Sequence, residues 1–381
     1  MKQSTAPIWD IFCNVIDNWG DIGVCWRLTQ QLSQQGIFVR LWVDDAKALS
    51  WMQSPSDFPV QIIHWTKTTP CTIPGQAFIE AFGCHAPDNF LQKVAKQQCP
   101  SVWINLEYLS AQNNIDLLHG LPSLQQYGPA KGLTRWFFYP GFTSKTGGLL
   151  RESTLDAQQN IFNAEHWLQQ TFTPIIPQAQ RISLFCYPNQ ALPELLQQWA
   201  QSSSPIHLLA TPGHTTQQIN ALNLSSTTTS DTPNTTHHHN LSITRLPYLS
   251  QKNFDHLLWS CDLNIVRGED SWIRALWAKK PLIWQPYTQE DGEHLNKLRA
   301  FMALIPNAPQ AWQQFQLDWS LQTPPRWKDL SNTLPQTAAA LAHRRKQLQQ
   351  MPDLCTSLVT FVNQKYKDQQ TPKTPRNQQK L

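Results

Sequence analysis

The alternation of short apolar runs with helical patterns along the first half of the chain constrains the fold most strongly. The run IWDIFCNVI is followed by GVCWRLTQQLSQQG, in which apolar residues recur with helical spacing before Gly36, and then by FVRLWVDD. This order is typical of a β-α-β unit, and the later runs VQIIHW and SVWINLEYL extend it. It predicts an α/β fold with a parallel, doubly wound sheet.

The second half of the chain repeats this order. The runs RISLFCY, IHLLAT, CDLNIV and PLIWQPY are predicted to be strands, and ALPELLQQWAQ a helix. A chain of 381 residues can bury two cores of ordinary size, and the proline-containing segment QQTFTPIIPQAQ indicates a linker near 175–180. We therefore expect one domain over residues 1–177, a second over 178–355 across a cleft, and over 356–381 a helix that crosses back onto the first domain and a disordered basic tail.

Composition and charge narrow the classes of function. A net charge of +4 without a basic stripe outside the tail argues against nucleic acid as a partner and favours an acidic ligand held by a few specific groups. No apolar run is long enough to span a membrane, and the N-terminus lacks the pattern of a signal peptide. Eight cysteines without a CxxC pair or zinc spacing indicate reduced thiols and a cytoplasmic protein.

A Ser/Thr/Asn-rich segment at 225–240 interrupts the second half and contains three consecutive histidines, His237, His238 and His239. Such a run could bind a metal ion. In this low-complexity context we favour a solvated loop insertion and predict no metal site.

The turn DNWGD carries two carboxylates between the first strand and the first helix. If this assignment holds, Asp17 lies at the carboxyl end of the strand and Asp21 at or near the N-cap of the helix. Both would then line a cleft. The alternative is purely structural, with Asp21 capping the helix and Asp17 forming the turn.

The turn RGEDS leads from the strand CDLNIV into a helix with apolar residues on one face. Free backbone N–H groups and the helix dipole at such a turn favour a phosphate, to which Arg267 can add a positive charge and Ser271 a donor. Glu269 and Asp270 would repel a phosphate unless they face elsewhere. Alternatively, Asp270 and Ser271 only cap the helix and Glu269 is a solvated loop residue.

Carboxylates from both halves could meet across the cleft, beside a phosphate site. A group that accepts a proton from a nucleophile next to an anionic leaving group suits glycosyl or phosphoryl transfer. Neighbouring side chains could enclose a nucleotide base, although isolated aromatic residues are more often part of a core. These side chains are Phe185, Tyr187, Tyr248, Gln251 and Phe254.

Three segments closely resemble the bacterial family of protein-arginine rhamnosyltransferases of translation elongation factor P, known as EarP. They are FCNVIDNWGDIGVCWRL, FYPGFTSKTGGLLRE and the long block from LPYLSQKNF through RGEDSWIRALWAKKPLIWQPYTQEDGEHLNKLRAF, and the resemblance runs from about residue 8 to 365. It implies a GT-B architecture of two Rossmann-like domains. It also implies inverting transfer of L-rhamnose from dTDP-β-L-rhamnose to one arginine of elongation factor P, which activates that factor on ribosomes stalled at polyproline, with no cofactor or metal.

The resemblance also assigns roles to individual residues. Asp21 matches the general base, Asp17 its essential neighbour, and Glu269 a further catalytic carboxylate. At position 248 the family often has phenylalanine, so the tyrosine hydroxyl has no inherited role, and the 225–240 insertion inherits none. The residues implied at the dTDP-rhamnose donor are Phe185, Tyr187, Tyr248, Gln251, Phe254, Arg267, Asp270, Ser271 and Tyr287.

Three other functions stay open on the sequence. A GT-B glycosyltransferase with another sugar donor or acceptor would need the same phosphate turn and carboxylates. A non-catalytic module that docks a translation factor or RNA is suggested by the tryptophan content and the basic tail. A dinucleotide-dependent oxidoreductase fits less well, because DNWGDIG lacks the glycines of GxGxxG.

Overall fold

Two β-sheets form the framework of the chain in this computed structural model, which describes residues 6–16, 19–66, 68–70, 72–171, 174–222, 224 and 234–370. Asp17, the segment 225–233 and the predicted disordered tail from 371 onward lie outside the described residues. Helices cover both sheets, and the α/β class predicted from the alternating pattern is confirmed.

The first sheet has, in the described part of the chain, seven strands in the order β3-β2-β1-β4-β5-β7-β6. All neighbours pair in parallel except β6 and β7. The strands are β1 Ile8–Cys13, β2 Phe38–Val43, β3 Gln61–His64, β4 Ala77–Ala81, β5 Val102–Leu106, β6 Pro122–Leu124 and β7 Thr134–Phe138. The helices in this part of the chain are α1 Gly20–Gln34, α2 Leu49–Met52, α3 Asp88–Ala95, α4 Ile115–Leu118, α5 Leu155–Ile161 and α6 Ala164–Gln170, of which α5 and α6 pack on the second sheet.

The second sheet has the strand order β10-β11-β9-β8-β12-β13, with only the β10–β11 pair antiparallel among its described strands. Its strands are β8 Gln180–Leu184, β9 Ile206–Ala210, β10 Thr235–His238, β11 Leu241–Arg245, β12 Leu263–Arg267 and β13 Leu282–Gln285. The helices are α7 Leu192–Ala200, α8 His214–Ala221, α9 Gln251–Ser260, α10 Asp270–Trp277, α11 Glu293–Ala303, α12 Gln310–Ser320, α13 Trp327–Ser331, α14 Leu334–Gln349 and α15 Leu354–Gln370.

Both sheets are buried on both faces, as parallel sheets require. In β1, Ile11 and Phe12 belong to different apolar clusters, and Leu208 and Leu209 do the same in β9. Adjacent strand residues point to opposite faces, so each sheet is packed between two layers of helices. This burial explains why the strands appear in the sequence as continuous apolar runs.

The structure corrects part of the loop predicted at 225–240. Residues 235–238 form the edge strand β10, which pairs antiparallel with β11. Thr235 is buried, and its hydroxyl lies 2.8 Å from that of Thr244. Thr235 and Thr236 are β-branched, which suits a strand. The strand was not predicted because the surrounding segment is polar throughout.

Helix α15 packs on the first sheet although it follows the second in sequence. Leu354, Cys355, Leu358 and Val362 are buried in the same apolar cluster as β1. The last helix therefore contributes to the core of the first half of the chain.

In the part of the chain described, no helix combines the length and apolar character needed to cross a bilayer.

Candidate active site

The turn between β1 and α1 holds Asp21 in the first turn of the helix, where its side chain is 2% exposed. One carboxylate oxygen accepts a hydrogen bond from the Ile16 backbone N–H at 3.0 Å. The other accepts one from the Tyr108 hydroxyl at 3.3 Å. The N-cap residue is Trp19, so Asp21 lies just inside the helix, and two neighbouring loops fix the orientation of its carboxylate.

The turn between β12 and α10 is the predicted strand-to-helix connection. Arg267 ends the strand, Gly268 adopts φ +63°, and Glu269 is the N-cap residue of α10. The positive φ favours glycine, and the Gly268 carbonyl accepts a hydrogen bond from the Trp284 indole N–H at 2.7 Å. The turn thereby places Glu269 and the N-terminus of α10 at the carboxyl end of the sheet.

Asp21 and Glu269, which belong to different halves of the chain, line one cavity of about 100 Å³ with Tyr108, Tyr287 and Lys297. Burial, followed by the negative charges of Asp21 and Asp270, raises the pKa of Glu269 to about 8, although a backbone hydrogen bond from Leu109 and the charge of Lys297 act in the opposite direction. This cavity, called the carboxylate cavity below, is therefore suited to a cation that would relieve the repulsion between carboxylates.

A second cavity, also of about 100 Å³ and called the anion cavity below, adjoins the first at Gly20, Gly268 and Glu269. The residues predicted at the donor come together in it with one exception. Tyr287 lies in the carboxylate cavity, and its ring packs on Tyr187 with centroids 5.4 Å apart. The predicted residues that line the anion cavity are Phe185, Tyr187, Tyr248, Gln251, Phe254, Arg267, Asp270 and Ser271.

Arg267 is a basic residue of the anion cavity, and its guanidinium has hydrogen-bond donors that are not used by the described part of the protein. Its guanidinium carbon lies 4.5 Å from the ring centroid of Phe185 and 4.3 Å from that of Tyr187. The side chain is buried, and its Nη1 has no hydrogen-bond partner among the described residues. A buried N–H donor without a partner is costly, so the geometry favours an anionic acceptor in this cavity.

Three of the predicted donor-binding side chains are already engaged with the protein. Ser271 donates its hydroxyl hydrogen to the Arg267 carbonyl, and Asp270 accepts from Arg27 Nε at 2.8 Å. Gln251 donates through Nε2 to the Gly23 carbonyl at 2.8 Å. What α10 offers an anion is therefore its first backbone N–H groups, which have no intrahelical partner.

Sequence reasoning missed residues that the first half contributes to the two cavities. The rings of Trp19 and Trp51 lie 5.1 Å apart and contact Tyr248, at 5.3 and 5.0 Å, at the wall of the anion cavity. Trp19 stands inside the DNWGD turn, and Tyr108 follows the carboxyl end of β5. Because Trp19 and Tyr108 each lie at or just after the carboxyl end of a predicted strand, the sequence could have indicated both as residues of the cleft. Among the described residues, no group of three or more His, Cys, Asp or Glu side chains is arranged to hold a metal ion.

Comparison with known proteins agrees with this arrangement. The family model described as Elongation-Factor P (EF-P) rhamnosyltransferase EarP matches residues 9–363. The protein-arginine rhamnosyltransferase of Pseudomonas putida is 38% identical over 384 residues, which cover 93% of this chain and 98% of that protein. The one from Pseudomonas aeruginosa is 37% identical over 376 residues, with the same shares covered.

Solved structures show the same architecture. The structure that gives the basis for EarP-mediated arginine glycosylation of translation elongation factor EF-P is 29% identical, has a TM-score of 0.63, and matches over 94% of this chain and 99% of its own. Glycosyltransferase VinC in complex with dTDP is 12% identical with a TM-score of 0.53, over 95% and 100% of the two chains, and supports the fold alone. The predicted GT-B fold is confirmed, and the chain belongs to the EarP family of protein-arginine rhamnosyltransferases.

Proposed function

We propose that this enzyme transfers L-rhamnose from dTDP-β-L-rhamnose to one arginine side chain of translation elongation factor P, with inversion at the sugar carbon. The observation that carries the proposal is the junction of the two cavities at Glu269. On one side lies a site for an anion and on the other a site lined by two carboxylates. The family to which the chain belongs supports the choice of acceptor.

The anion cavity is the proposed donor site. The diphosphate would accept hydrogen bonds from Arg267 Nη1 and from the first N–H groups of α10, while the rings of Trp51 and Tyr248 offer apolar surface to the thymine. The half-exposed ring of Tyr248 suits contact with a ligand. This arrangement would place the sugar near the N-terminus of α10, toward Glu269.

The carboxylate cavity is the proposed site of the acceptor arginine. A guanidinium is planar and carries five N–H donors, so Asp21 and Glu269 can hold it from two sides. Burial and the neighbouring carboxylates raise the pKa of Glu269, and the positive charge of the guanidinium would counter both effects and favour the ionised form of that carboxyl. Asp17, implied as a neighbour of the base, lies outside the described residues and keeps its role as a prediction.

The reaction would be a single displacement. An arginine nitrogen attacks C1 of the sugar, the C1–oxygen bond to the diphosphate breaks, and dTDP leaves with the electron pair. Asp21 accepts the proton displaced from the guanidinium, and the product guanidinium keeps one positive charge. Attack from the face opposite the leaving group inverts C1. The charge that develops on the diphosphate would be met by Arg267 and the dipole of α10.

We further propose that the reaction uses no metal or other cofactor, because Arg267 and α10 supply the positive potential that a divalent cation would supply. The acceptor is a translation factor, which leads us to place the enzyme in the cytoplasm. Neither nucleic acid nor a membrane is needed as a partner.

The test is incubation of the purified chain with dTDP-L-rhamnose and unmodified elongation factor P, followed by intact-mass and fragment spectra of the acceptor. The proposal predicts a gain of one deoxyhexose on a single arginine. dTDP-glucose and UDP-glucose serve as competing donors and should give no gain. Binding of dTDP-L-rhamnose without any transfer would retain a glycosyltransferase but refute elongation factor P as its acceptor.

A further inference from the structure

Five charged side chains form a cluster between the two halves of the molecule, at the wall of the anion cavity, which Arg27 and Asp270 line. We propose that this cluster, with Arg27 at its centre, is a positioning device that sets the distance between the helices that carry the two catalytic carboxylates. The inference rests on the proposed function, because it explains how Asp21 and Glu269 are held face to face. The members of this interlobe cluster are Arg27, Glu152, Asp255, Asp270 and Arg274.

Asp255, on α9, is the anchor of the interlobe cluster. Each of its carboxylate oxygens accepts one hydrogen bond from Arg27, at 3.0 and 3.1 Å, and one from Arg274, at 2.9 and 2.7 Å. Its four acceptor positions are thus filled by two forked guanidinium groups, which fixes geometry more tightly than single contacts would. One carboxylate therefore ties α1 to α10.

Arg27 has little capacity left for a substrate. Besides Asp255, it donates through Nε to Asp270 at 2.8 Å and through Nη2 to the Gln251 carbonyl at 3.4 Å, and Nη1 lies 3.7 Å from Glu152. It is 5% exposed. Arg27 lines the anion cavity, but its donors are directed at protein groups, so we assign it a positioning role through its neighbours.

Arg27 and Arg274 each lie on the helix that begins at one of the two catalytic carboxylates. Arg27 lies on the same helix as Asp21, less than two turns further along. Arg274 follows Glu269 at a similar spacing on α10. When both arginines grip Asp255, the N-terminal ends of α1 and α10 cannot slide past each other without breaking several charge-assisted bonds.

Because the interlobe cluster is buried, we infer that it fixes the relative position of the two halves more than it stabilises the fold. Arg27 and Arg274 are nearly fully buried, and such ion pairs contribute little net stability because desolvation offsets their attraction. Although burial opposes ionisation, Arg274 and Arg27 hold the pKa of Glu152 at about 2. Glu152 therefore stays ionised throughout the physiological range and can pair with both arginines.

The experiment makes the same substitution at two buried arginines. Arg40 forms an equally buried forked pair with Asp10, at 2.6 Å for both bonds, but both partners lie in the first sheet. Lysine keeps the charge and loses the fork. Arg27→Lys and Arg40→Lys are compared by kcat for transfer, by dTDP affinity, by thermal unfolding and by small-angle X-ray scattering.

Both lysine variants should lower the melting temperature. Only Arg27→Lys should lower kcat, by roughly tenfold to 100-fold because reacting groups are misplaced, with a larger radius of gyration and a smaller change in dTDP affinity than in kcat, since Arg27 lies at the wall of the anion cavity. Equal losses of kcat in both variants, or a normal kcat in Arg27→Lys, would overturn the proposal.

Two further outcomes are covered. If Arg27→Lys does not fold, Glu152→Gln weakens the same cluster at a partly exposed position and should lower kcat in the same way; an unchanged kcat would again overturn the proposal. If the wild-type chain transfers no rhamnose to elongation factor P, the proposed function fails. The scattering comparison still decides whether Arg27 sets the distance between the halves, because it requires no reaction.

Discussion

Glu269 is the residue whose environment departs most clearly from that of an ordinary glutamate. Its carboxyl lies at the N-terminus of α10, between the two cavities and near two other carboxylates. Only the ionised form attracts a guanidinium, so its protonation state should control capture of the acceptor. This control can be read both in the rate and in the stability of the protein.

The rate should depend on pH through this carboxyl. Because the pKa of Glu269 in the free enzyme is raised to about 8, kcat/KM for the acceptor should rise with pH and level off above about 8. Glu269→Gln should remove this ionisation and lower kcat/KM about 100-fold. The measurement is initial rate against pH for both proteins. A wild-type profile that is flat between pH 6 and pH 9, roughly the range spanned by this ionisation, would contradict the assignment.

The ionisation of Glu269 should also make the stability of the protein depend on pH, but in the opposite direction to the rate. The pKa of Glu269 is higher in the folded chain than its usual value of 4.5, so the folded state retains the proton between 4.5 and about 8. The free energy of unfolding therefore falls as pH rises through this interval. Glu269→Gln should flatten that fall, measured as melting temperature against pH. Parallel curves for wild type and variant would show that the shift is absent.

At the scale of elements, the two strand–turn–helix connections carry most of the site, and both could be predicted. Apolar runs that end in DNWGD and RGEDS placed Asp21, Arg267 and Glu269 at the carboxyl ends of strands, where ligands bind in open parallel sheets. The contacts between halves could not be predicted. The bonds from Arg27 to Asp255 join residues 228 positions apart, and no local pattern encodes such a pairing.

Other differences have similar causes. Strand β4 was not singled out, because the buried Glu80 interrupts its apolar run. One oxygen of that carboxylate accepts a hydrogen bond from the Ala86 backbone N–H at 2.8 Å. Strand β10 was hidden in a polar segment. Tyr287 lies in the other cavity from most predicted donor residues, because β13 ends beside the carboxylate cavity and the loop after it turns toward Lys297.

The position of Arg267 in the turn before α10 leads us to predict an effect of its substitution on the affinity for dTDP. Arg267→Gln removes the cation that lies against Phe185 and Tyr187 and should weaken dTDP binding about tenfold to 100-fold, the loss expected for a charged hydrogen bond. Titration calorimetry with dTDP measures it. The exposed Arg326, on the same half of the chain, provides the control Arg326→Gln, which should bind normally. Equal affinity in all three proteins would contradict the placement of the diphosphate.

At the scale of the whole molecule, each half of the chain contributes one carboxylate to the proposed reaction site. Gln251 bonds the Gly23 carbonyl, and Gln112 bonds Glu293 at 2.5 Å, so hydrogen bonds as well as ion pairs join the two halves. Neither half alone contains both Asp21 and Glu269. The activity should therefore depend on the relative position of the halves as much as on either carboxylate.

The same arrangement predicts a reaction that does not depend on divalent metal. If Arg267 and α10 stabilise the leaving diphosphate, removal of metal ions with EDTA should leave the rate of transfer unchanged. The measurement is the initial rate in metal-depleted buffer with and without added Mg²⁺. A rate that collapses on depletion and returns with Mg²⁺ would show that the cation, and not these groups, meets the developing charge.

The central claim is that Asp21 accepts the proton from an arginine held across the cleft from the donor. We would test it by single-turnover transfer to elongation factor P with the wild-type chain and with Asp21→Asn, with dTDP affinity and melting temperature measured for both. The account predicts one deoxyhexose on one arginine with the wild type, and a rate about 1000-fold lower in the variant at unchanged dTDP affinity. Transfer by Asp21→Asn at a rate close to that of the wild type, with an intact fold, would contradict it.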